Sequence, residues 1–358
     1  MRRLLSVTTA LILMLSIAGC RGEIRVPSAQ QEAGDLAAAL NELEREKLPV
    51  IAAYSRDGAP TVVREFGELR DDGLTAEETL LDIGSITKTV TAVAISKLVD
   101  QGKVRLDETL ADIFPDVPGD KSKITVEQLL THSGGLTEAV GDDSEQLDRD
   151  DFLARAFASE LVVAPGERYA YSNVGYSILA AVIEIRSGRS YEEYLGDDVL
   201  SPAGLSGIGY SSSYDDERSL RSSGGSIVDV SWGGHDASWH LIGNGGLVTT
   251  AETFVGFLRA LTDGRILSPS SLERLTEPHI AEDDAGSSYY GYGLVVQDIP
   301  QAGRFLWHDG GNDAFSAEWF IHVDSEDVFF IAGLDSVPGD GTASAAMSVV
   351  REHLYRKQ

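Results

Sequence analysis

The stretch that decides the fold is Ser85-Ile86-Thr87-Lys88, which places a hydroxyl and an amine three residues apart. At this spacing two side chains share one face of a helix, so the amine can reach the hydroxyl. Serine is a weak nucleophile until a neighbouring base or cation assists the loss of its proton, and Lys88 is such a neighbour. The pattern is common, and the alternative interpretation is a capped helix start with a solvated lysine.

The segment that follows is apolar on nearly every side. It is rich in β-branched residues, as in Val90-Thr91-Ala92-Val93-Ala94-Ile95, and it ends at Gly102. Such residues do not favour a helix intrinsically, and an exposed helix would have one polar face. The sequence therefore predicts a buried central helix that is held by packing. A lysine near its start must be paired or lie in a polar cleft, which gives Lys88 a role.

Length and charge limit the classes of function. The chain has 358 residues, 42% of them hydrophobic, which is enough for one large domain or two closely joined ones. Its 57 acidic and 29 basic residues give a formal net charge of -28. This charge repels nucleic acid and anionic lipid surfaces, so no nucleic-acid partner is expected. The alternative is a solvated acidic surface that carries no information about the substrate.

The N-terminus is predicted to be a signal peptide over residues 1–20. Two arginines precede an apolar run from Leu4 to Ile17, which is too short for a bilayer span of about 20 residues. The run is followed by Cys20, the only cysteine in the chain, in a setting that resembles the lipobox of a bacterial lipoprotein. The resemblance implies export and a lipid anchor to a membrane of the cell envelope, on its periplasmic or extracellular face. An ordinary secretory signal is the alternative. Residues 21–36 are predicted to form a flexible tether.

The order of strand and helix patterns indicates an α+β fold. Strand-like runs at Leu48–Tyr54 and Thr61–Phe66 flank the turn signal Arg56-Asp57-Gly58 and predict an antiparallel hairpin. Helical patterns follow at Val126–Thr131, Asp150–Ser159 and Val174–Arg186; strand patterns return at Gly293–Val296, Glu318–His322 and Val328–Gly333, before a final helix at Ala343–Tyr355.

These patterns predict an antiparallel sheet that is split between the two ends of the chain. The sheet domain is assigned to residues 37–84 and 285–358, with helices at its termini. A mainly helical domain, residues 85–284, is inserted between the two halves of the sheet domain.

A second motif is Tyr171-Ser172-Asn173, which follows a loop with Pro165 and Gly166 and precedes a helical pattern. A tyrosine beside a cationic lysine can have its pKa lowered enough to relay a proton. Asparagine can orient a substrate amide. The alternative is a loop tyrosine with a helix-capping asparagine.

A third motif is Trp307-His308-Asp309-Gly310-Gly311. Glycines where a strand is expected mark the close approach of another backbone or a ligand. Free N–H groups at such a strand suit an acyl oxyanion. The alternative is a plain turn with an exposed histidine.

Together and in this order, the three motifs resemble the signatures of the serine β-lactamase and penicillin-binding-protein superfamily. The tyrosine points to the branch that holds class C β-lactamases, D-alanyl-D-alanine carboxypeptidases and β-lactamase-like esterases. Ile124–Leu136 and Gly245–Ala251 also look similar to that family. The resemblance covers roughly residues 40 to 355 and implies a β-lactamase/transpeptidase-like fold.

The resemblance also implies roles for single residues. Ser85 is the acylated nucleophile, and Lys88 helps to activate it. Tyr171 is the general base or proton relay, and His308 supports Tyr171 and the leaving group. Asn173 binds the acyl side of the substrate.

The remaining roles that the resemblance implies concern the substrate pocket. The N–H groups of Ser85 and Gly311 form the oxyanion hole, and Asp309 and Gly310 lie with Gly311 in the substrate-binding strand. No cofactor is expected. No metal site is expected either, because the sequence has no HExxH motif and no cluster of Cys and His.

Two departures from the family pattern limit the substrate. Asp309 stands where many relatives have a Thr or Ser that binds a substrate carboxylate, and its charge would repel that group. His308 in place of a lysine removes a fixed positive charge at neutral pH. We therefore predict a serine hydrolase for esters, amides or peptides rather than an efficient β-lactamase. A non-turnover penicillin-binding or sensor protein, and a true β-lactamase or D-alanyl-D-alanine carboxypeptidase, are the alternatives.

Overall fold

The computed structural model of the chain describes residues 29–69, 73–142, 145–213, 216–222, 225–226, 237–335 and 341–355. The predicted signal peptide, Cys20 and residues 21–28 lie outside the described residues. Helix α1 runs from Ala29 to Glu46, so the prediction of a flexible tether is wrong from residue 29 onward. The segment is rich in helix-forming Ala, Gln, Glu and Leu, and Leu36, Leu40 and Leu43 pack on the sheet at helical spacing.

The described strands belong to one large and two small antiparallel sheets. In chain order they are β1 (Val50–Ser55), β2 (Val62–Phe66), β3 (Leu81–Asp82), β4 (Ile208–Tyr210), β5 (Arg221–Ser222), β6 (Gly225–Ser226), β7 (Leu247–Thr249), β8 (Ile280–Ala281), β9 (Tyr289–Tyr290), β10 (Val295–Ile299), β11 (Gly303–Gly311), β12 (Phe315–His322) and β13 (Asp327–Leu334). The large sheet has the order β2-β1-β13-β12-β11-β10-β9-β8. Strands from both ends of the chain therefore meet at the β1–β13 pair, as the sequence predicts.

The hairpin of β1 and β2 has the predicted turn. Asp57 and Gly58 both have positive φ values, 49° and 69°, and the Ala59 N–H donates to the Arg56 carbonyl at 2.8 Å. A type I′ turn, which has two positive φ values, matches the twist of the two strands, and Asp-Gly is one of the pairs that adopt it most easily.

After α1, the described α-helices are α2 (Thr87–Asp100), α3 (Leu110–Ile113), α4 (Val126–Leu130), α5 (Arg149–Ala158), α6 (Asn173–Ser187), α7 (Tyr191–Tyr194), α8 (Ala251–Thr262), α9 (Pro269–Thr276) and α10 (Thr342–Tyr355). Every residue of α2 from Thr87 to Ser96 is buried, which confirms the predicted central helix.

Apolar side chains cover both faces of the large sheet. Val50 and Phe320 lie in the smaller core with α1 and α10, whereas Ile51, Trp319 and Phe330 lie in the larger core with α2, α6 and α8. Alternate residues of a strand point to opposite faces, so neighbours such as Val50 and Ile51 serve different cores. The architecture is helix–sheet–helix, and it confirms the α+β class.

The boundary of the sheet differs from the prediction in one place. Strand β8 at Ile280–Ala281 pairs with β9, although the sequence assigned residues before 285 to the helical domain. Helix α8 of the assigned helical domain also packs on the sheet, with the Phe254 ring 4.9 Å from the Phe330 ring. In the part of the chain described, no helix combines the length and apolar character needed to cross a membrane.

Candidate active site

The start of α2 presents Ser85 beside a buried lysine. Gly84–Ile86 forms a 3₁₀ turn that leads into the helix, and Ser85 is only partly buried. Lys88 is fully buried, and its Nζ donates to Ser85 Oγ at 2.9 Å and to the Asn244 carbonyl at 2.8 Å. The two side chains therefore share one helical face, and the interpretation of Lys88 as a solvated lysine is wrong.

Tyr171 approaches the same hydroxyl from the loop before α6. Its phenol lies 2.9 Å from Ser85 Oγ, across 86 positions of sequence. The cap of α6 is Ser172, whose hydroxyl accepts from the Gly175 N–H at 3.0 Å. Asn173 is thus not the capping residue. Within the described part of the chain its Oδ1 is buried without a hydrogen-bond partner, which leaves an acceptor for an incoming N–H group.

The electrostatics of Tyr171 differ from the prediction. Burial, reinforced by the charges of Asp309 and Glu138, raises the pKa of Tyr171 despite its hydrogen bond to Ser85. Lys88 Nζ lies over the face of the Tyr171 ring, 4.8 Å from its centroid. The pKa of Tyr171 is therefore raised and not lowered, and Tyr171 is a neutral phenol at neutral pH.

Strand β11 passes directly against the serine turn. A methyl group on Gly310 would stand 2.3 Å from the Ile83 carbonyl oxygen and 2.6 Å from the Ser85 nitrogen. A methyl group on Gly84 would stand 2.4 Å from the Gly311 nitrogen. Only glycine allows two backbones to approach so closely. The backbone N–H groups of Ser85 and Gly311, the predicted oxyanion hole, are therefore neighbours.

His308 is close to the site but does not bond to Tyr171. Its Nδ1–H donates to the Asp309 carbonyl at 2.6 Å, and its Nε2 accepts from the Tyr290 hydroxyl at 3.0 Å. Burial lowers the pKa of His308 to about 4, although the Asp309 charge acts in the other direction. The predicted direct support of Tyr171 by His308 is therefore wrong, and His308 contacts Tyr290 instead. At neutral pH His308 is a neutral imidazole.

Asp309 points away from the serine. Across β11 and β12, His308 pairs with Trp319 and Asp309 pairs with Glu318. Trp319 lies in the larger core, whereas Glu318 forms an ion pair with Arg351 of α10. Asp309 therefore projects to the α10 side with its side chain exposed. It does not face Ser85 across the cleft, but its charge still acts on Tyr171 from a distance.

Three residues at this site were missed from the sequence as functional candidates. Asn244 supplies the second acceptor of Lys88, and its amide is fixed by hydrogen bonds to Ser177 Oγ and the His240 carbonyl. Tyr290 contacts His308. His132, which lies in the Ile124–Leu136 segment, packs its ring against Tyr171. No local pattern marks these contacts, because each joins segments that are distant in sequence.

Known proteins are similar to this chain in sequence and in fold. The family model described as Beta-lactamase matches residues 36–339. The chain belongs to the beta-lactamase family. This beta-lactamase-family chain is 24% identical over 284 residues to penicillin-binding protein 4* of Bacillus subtilis, a match that covers 72% of the chain and 61% of that protein. It is 29% identical over 178 residues to the D-alanyl-D-alanine-carboxypeptidase/endopeptidase AmpH of Escherichia coli, which covers 46% of each.

Among solved structures, the beta-lactamase-family chain is similar to the D-amino acid amidase from Ochrobactrum anthropi in complex with L-phenylalanine amide. The TM-score is 0.74 at 22% identity, and the match covers 91% of the chain and 98% of the amidase. At that identity the likeness shows the fold. The chain spans about three-fifths of the length of penicillin-binding protein 4* and under half of AmpH. Among the described residues, no group of three or more His, Cys, Asp and Glu side chains is arranged to hold a metal ion.

Proposed function

We propose that the protein is a serine hydrolase that acts through a covalent acyl-enzyme at Ser85. The observation that carries the proposal is the convergence of Lys88 and Tyr171 on one oxygen, each 2.9 Å from Ser85 Oγ. A protein that only binds has no need of two proton-handling groups at one hydroxyl. The names of the relatives agree with acyl chemistry, since they include a carboxypeptidase/endopeptidase and an amidase.

The reaction begins when Ser85 Oγ forms a bond to the carbonyl carbon of the substrate. The Ser85 proton passes to the Tyr171 phenol, which gives its own proton to the leaving group as the bond from that group to the carbonyl carbon breaks. Lys88 Nζ, a donor to Ser85 Oγ, stabilises the negative charge that develops on this oxygen. Because burial keeps Tyr171 protonated at rest, the phenol suits a relay better than a standing phenolate base. The N–H groups of Ser85 and Gly311 stabilise the oxyanion, by about 2.7 to 4 kcal/mol per donor. Water then attacks the acyl carbon and releases the acid.

The charges around the site favour a substrate without a carboxylate near the reacting carbonyl. His308 is neutral at neutral pH, and the carboxylates of Asp309 and Glu138 both act on Tyr171. An anionic group there would meet repulsion, whereas a neutral ester, amide or peptide would not. The buried Asn173 Oδ1 suits an N–H on the acyl side of such a substrate.

The nucleophile is tested with a fluorophosphonate probe, which is expected to label the wild type and not Ser85→Ala. Ser122→Ala serves as the control, because Ser122 lies in a loop and its hydroxyl donates to a local carbonyl, that of Gly119, at 2.8 Å. Equal labelling of wild type and Ser85→Ala would remove Ser85 from the reaction.

Substrate charge is tested with p-nitrophenyl esters whose acyl chains end in a methyl, a carboxylate or an ammonium group. We expect kcat/KM for the carboxylate ester to be at least about tenfold below that of the methyl ester at low salt, with the gap closing at 1 M salt, where the Debye length is about 3 Å. A preference for the carboxylate ester contradicts the proposed substrate class.

A second candidate, a D-alanyl-D-alanine carboxypeptidase or β-lactamase, is favoured by the names of penicillin-binding protein 4* and AmpH. It predicts turnover of D-alanyl-D-alanine peptides or nitrocefin above that of the neutral esters. Labelling without turnover of any member of the panel supports the non-turnover penicillin-binding or sensor protein.

We also propose that the protein is exported and anchored to the cell envelope through a lipid on Cys20, which lies outside the described residues. The support is the lipobox-like sequence that ends at this single cysteine. Cys20→Ser is expected to move the protein from the membrane fraction to the soluble fraction without changing its activity. A variant that remains in the membrane fraction contradicts the anchor.

A further inference from the structure

His132 occupies a backbone position that usually belongs to glycine. It follows α4, where Ser133 N–H donates to the Gln128 carbonyl at 2.9 Å and His132 N–H to the Leu129 carbonyl at 3.3 Å. These two bonds form the Schellman end of a helix, whose residue outside the cap is left-handed and commonly glycine. His132 has a φ of 54°, a conformation that strains a side chain. A strained side chain at such a position points to a role for the imidazole.

The imidazole is buried and fixed to the tyrosine motif. His132 is 2% exposed, and its Nδ1 accepts from the Ser172 N–H at 3.0 Å. Nδ1 is therefore unprotonated, and burial, followed by the charge of Lys88, holds the pKa of His132 well below its ordinary value. The proton of the neutral ring is on Nε2, which in the described structure is buried without a hydrogen-bond partner.

The same ring supports Tyr171 from the side. The centroids of the His132 and Tyr171 rings are 4.4 Å apart. Tyr290 and Tyr176 lie around the imidazole as well, at 4.7 Å and 5.0 Å. An unpaired buried N–H is unfavourable for folding, so stability does not account for histidine here. The hydrogen bond to Ser172 accounts for the histidine, because Ser172 is the residue directly after Tyr171.

We infer that His132 is a positioning residue that places the Tyr171 hydroxyl at Ser85 Oγ, by holding the Ser172 N–H on its Nδ1. This inference rests on the proposed function. His132 does not touch the reacting atoms, and it acts through the backbone of the tyrosine motif. Without the acceptor, the segment around Tyr171 loses the Ser172 hydrogen bond, although the Ala170 N–H still donates to the His132 carbonyl at 2.8 Å, and the phenol can shift relative to the serine.

Two variants distinguish the effect of the lost hydrogen-bond acceptor from the effect of backbone strain at position 132. Asn and Gly both tolerate a left-handed φ, but only Asn places an oxygen where Nδ1 stands. We expect His132→Asn to acylate within about tenfold of the wild type, since it keeps the hydrogen bond. We expect His132→Gly to fall by about 100-fold, the loss typical of a misplacement near 1 Å. The measurement is the rate of fluorophosphonate labelling, with thermal unfolding as the check on folding.

Two further variants test the other ring atoms. His132→Gln places its oxygen where Nε2 stands, and His132→Phe keeps an aromatic ring without an acceptor. Both are expected to remain slow, like His132→Gly. Full rescue by Phe assigns the effect to ring packing, and rescue by Gln but not Asn assigns it to Nε2. Either result overturns the inference.

The decisive readout is dependence on Tyr171. In a Tyr171→Phe background the glycine change at His132 is expected to have at most about a twofold effect, because residues that act as one unit are not additive. An equal loss in both backgrounds shows a general structural role and overturns the inference. Failure of the proposed function is distinct, because there wild type and Ser85→Ala label alike. A crystal structure of His132→Gly adds a readout independent of turnover: the distance from Tyr171 to Ser85 is expected to exceed the present 2.9 Å.

Discussion

Gly310 gives the sharpest test of the backbone contact behind Ser85. Its φ is not in the left-handed region, so an alanine there creates no backbone strain and the only change is the added methyl group. That methyl group would stand 2.3 Å from Ile83 O, 2.6 Å from Ser85 N and 2.9 Å from Ile86 N. All three are backbone atoms, so no side chain can rotate away to make room.

The size of the effect follows from these distances. A carbon atom needs at least 3.0 Å from such neighbours, so β11 and the serine turn must separate by 3.0 - 2.3 = 0.7 Å or more. Donors at an oxyanion hole work at about 2.7 to 3.1 Å, and a shift of this size takes one of them out of range. We expect Gly310→Ala to reduce kcat by about 100- to 1,000-fold. The free energy of unfolding should fall by about 1 to 3 kcal/mol, as for other overpacked sites.

The assay compares kcat, KM and the rate of fluorophosphonate labelling for Gly310→Ala with those for Gly119→Ala. Gly119 has no atom within 4 Å of an added methyl group, so its variant is expected to match the wild type. Thermal unfolding shows whether Gly310→Ala is folded at the assay temperature. If a folded Gly310→Ala retains more than about a tenth of the wild-type kcat, the backbone contact does not shape the site, and the assignment of the oxyanion hole is wrong.

Three further predictions concern ionisation. Because burial raises the pKa of Tyr171, the difference in tyrosinate absorbance between wild type and Tyr171→Phe should stay flat up to about pH 10, and a step near neutral pH contradicts the neutral phenol. The pKa of His308 is lowered to about 4, so the unfolded chain binds more protons than the native one between the ordinary histidine pKa and pH 4. The free energy of unfolding should therefore decline as the pH falls through that window. In urea denaturation the decline for His308→Asn should be shallower than for the wild type, by at most about 3 kcal/mol, and an equal decline in the two proteins excludes this histidine as the cause. Burial raises the pKa of Glu318 to about 6 despite its ion pair with Arg351. Arg351→Ala should lower the free energy of unfolding by about 3 kcal/mol at pH 8 and by less below pH 6, where Glu318 is protonated. Adding Glu318→Gln should restore part of this stability, and a double variant that regains none contradicts the pairing.

Much of the fold was predictable because local patterns decide it. The Asp57-Gly58 pair specifies the turn of the first hairpin through its positive φ values. The apolar segment after Lys88 specifies a buried helix, since no face of it tolerates water. The start of α1 was missed because its helix-forming residues were interpreted as a polar tether. Strand β8 was missed because a segment of two residues is too short for an alternating pattern that would predict a strand.

The sequence by itself determined the pairing of Ser85 with Lys88, because a helix turns through a fixed angle per residue and the two are three apart. Only the tertiary structure decided what meets that pair. Tyr171 arrives from 86 positions away, and His132 reaches the motif across 40 positions. Tertiary structure also set the pKa of Tyr171 and His308, since burial and the placement of distant charges fix those values. Local periodicity encodes backbone shape and apolar faces, whereas contacts between distant segments depend on how whole elements pack.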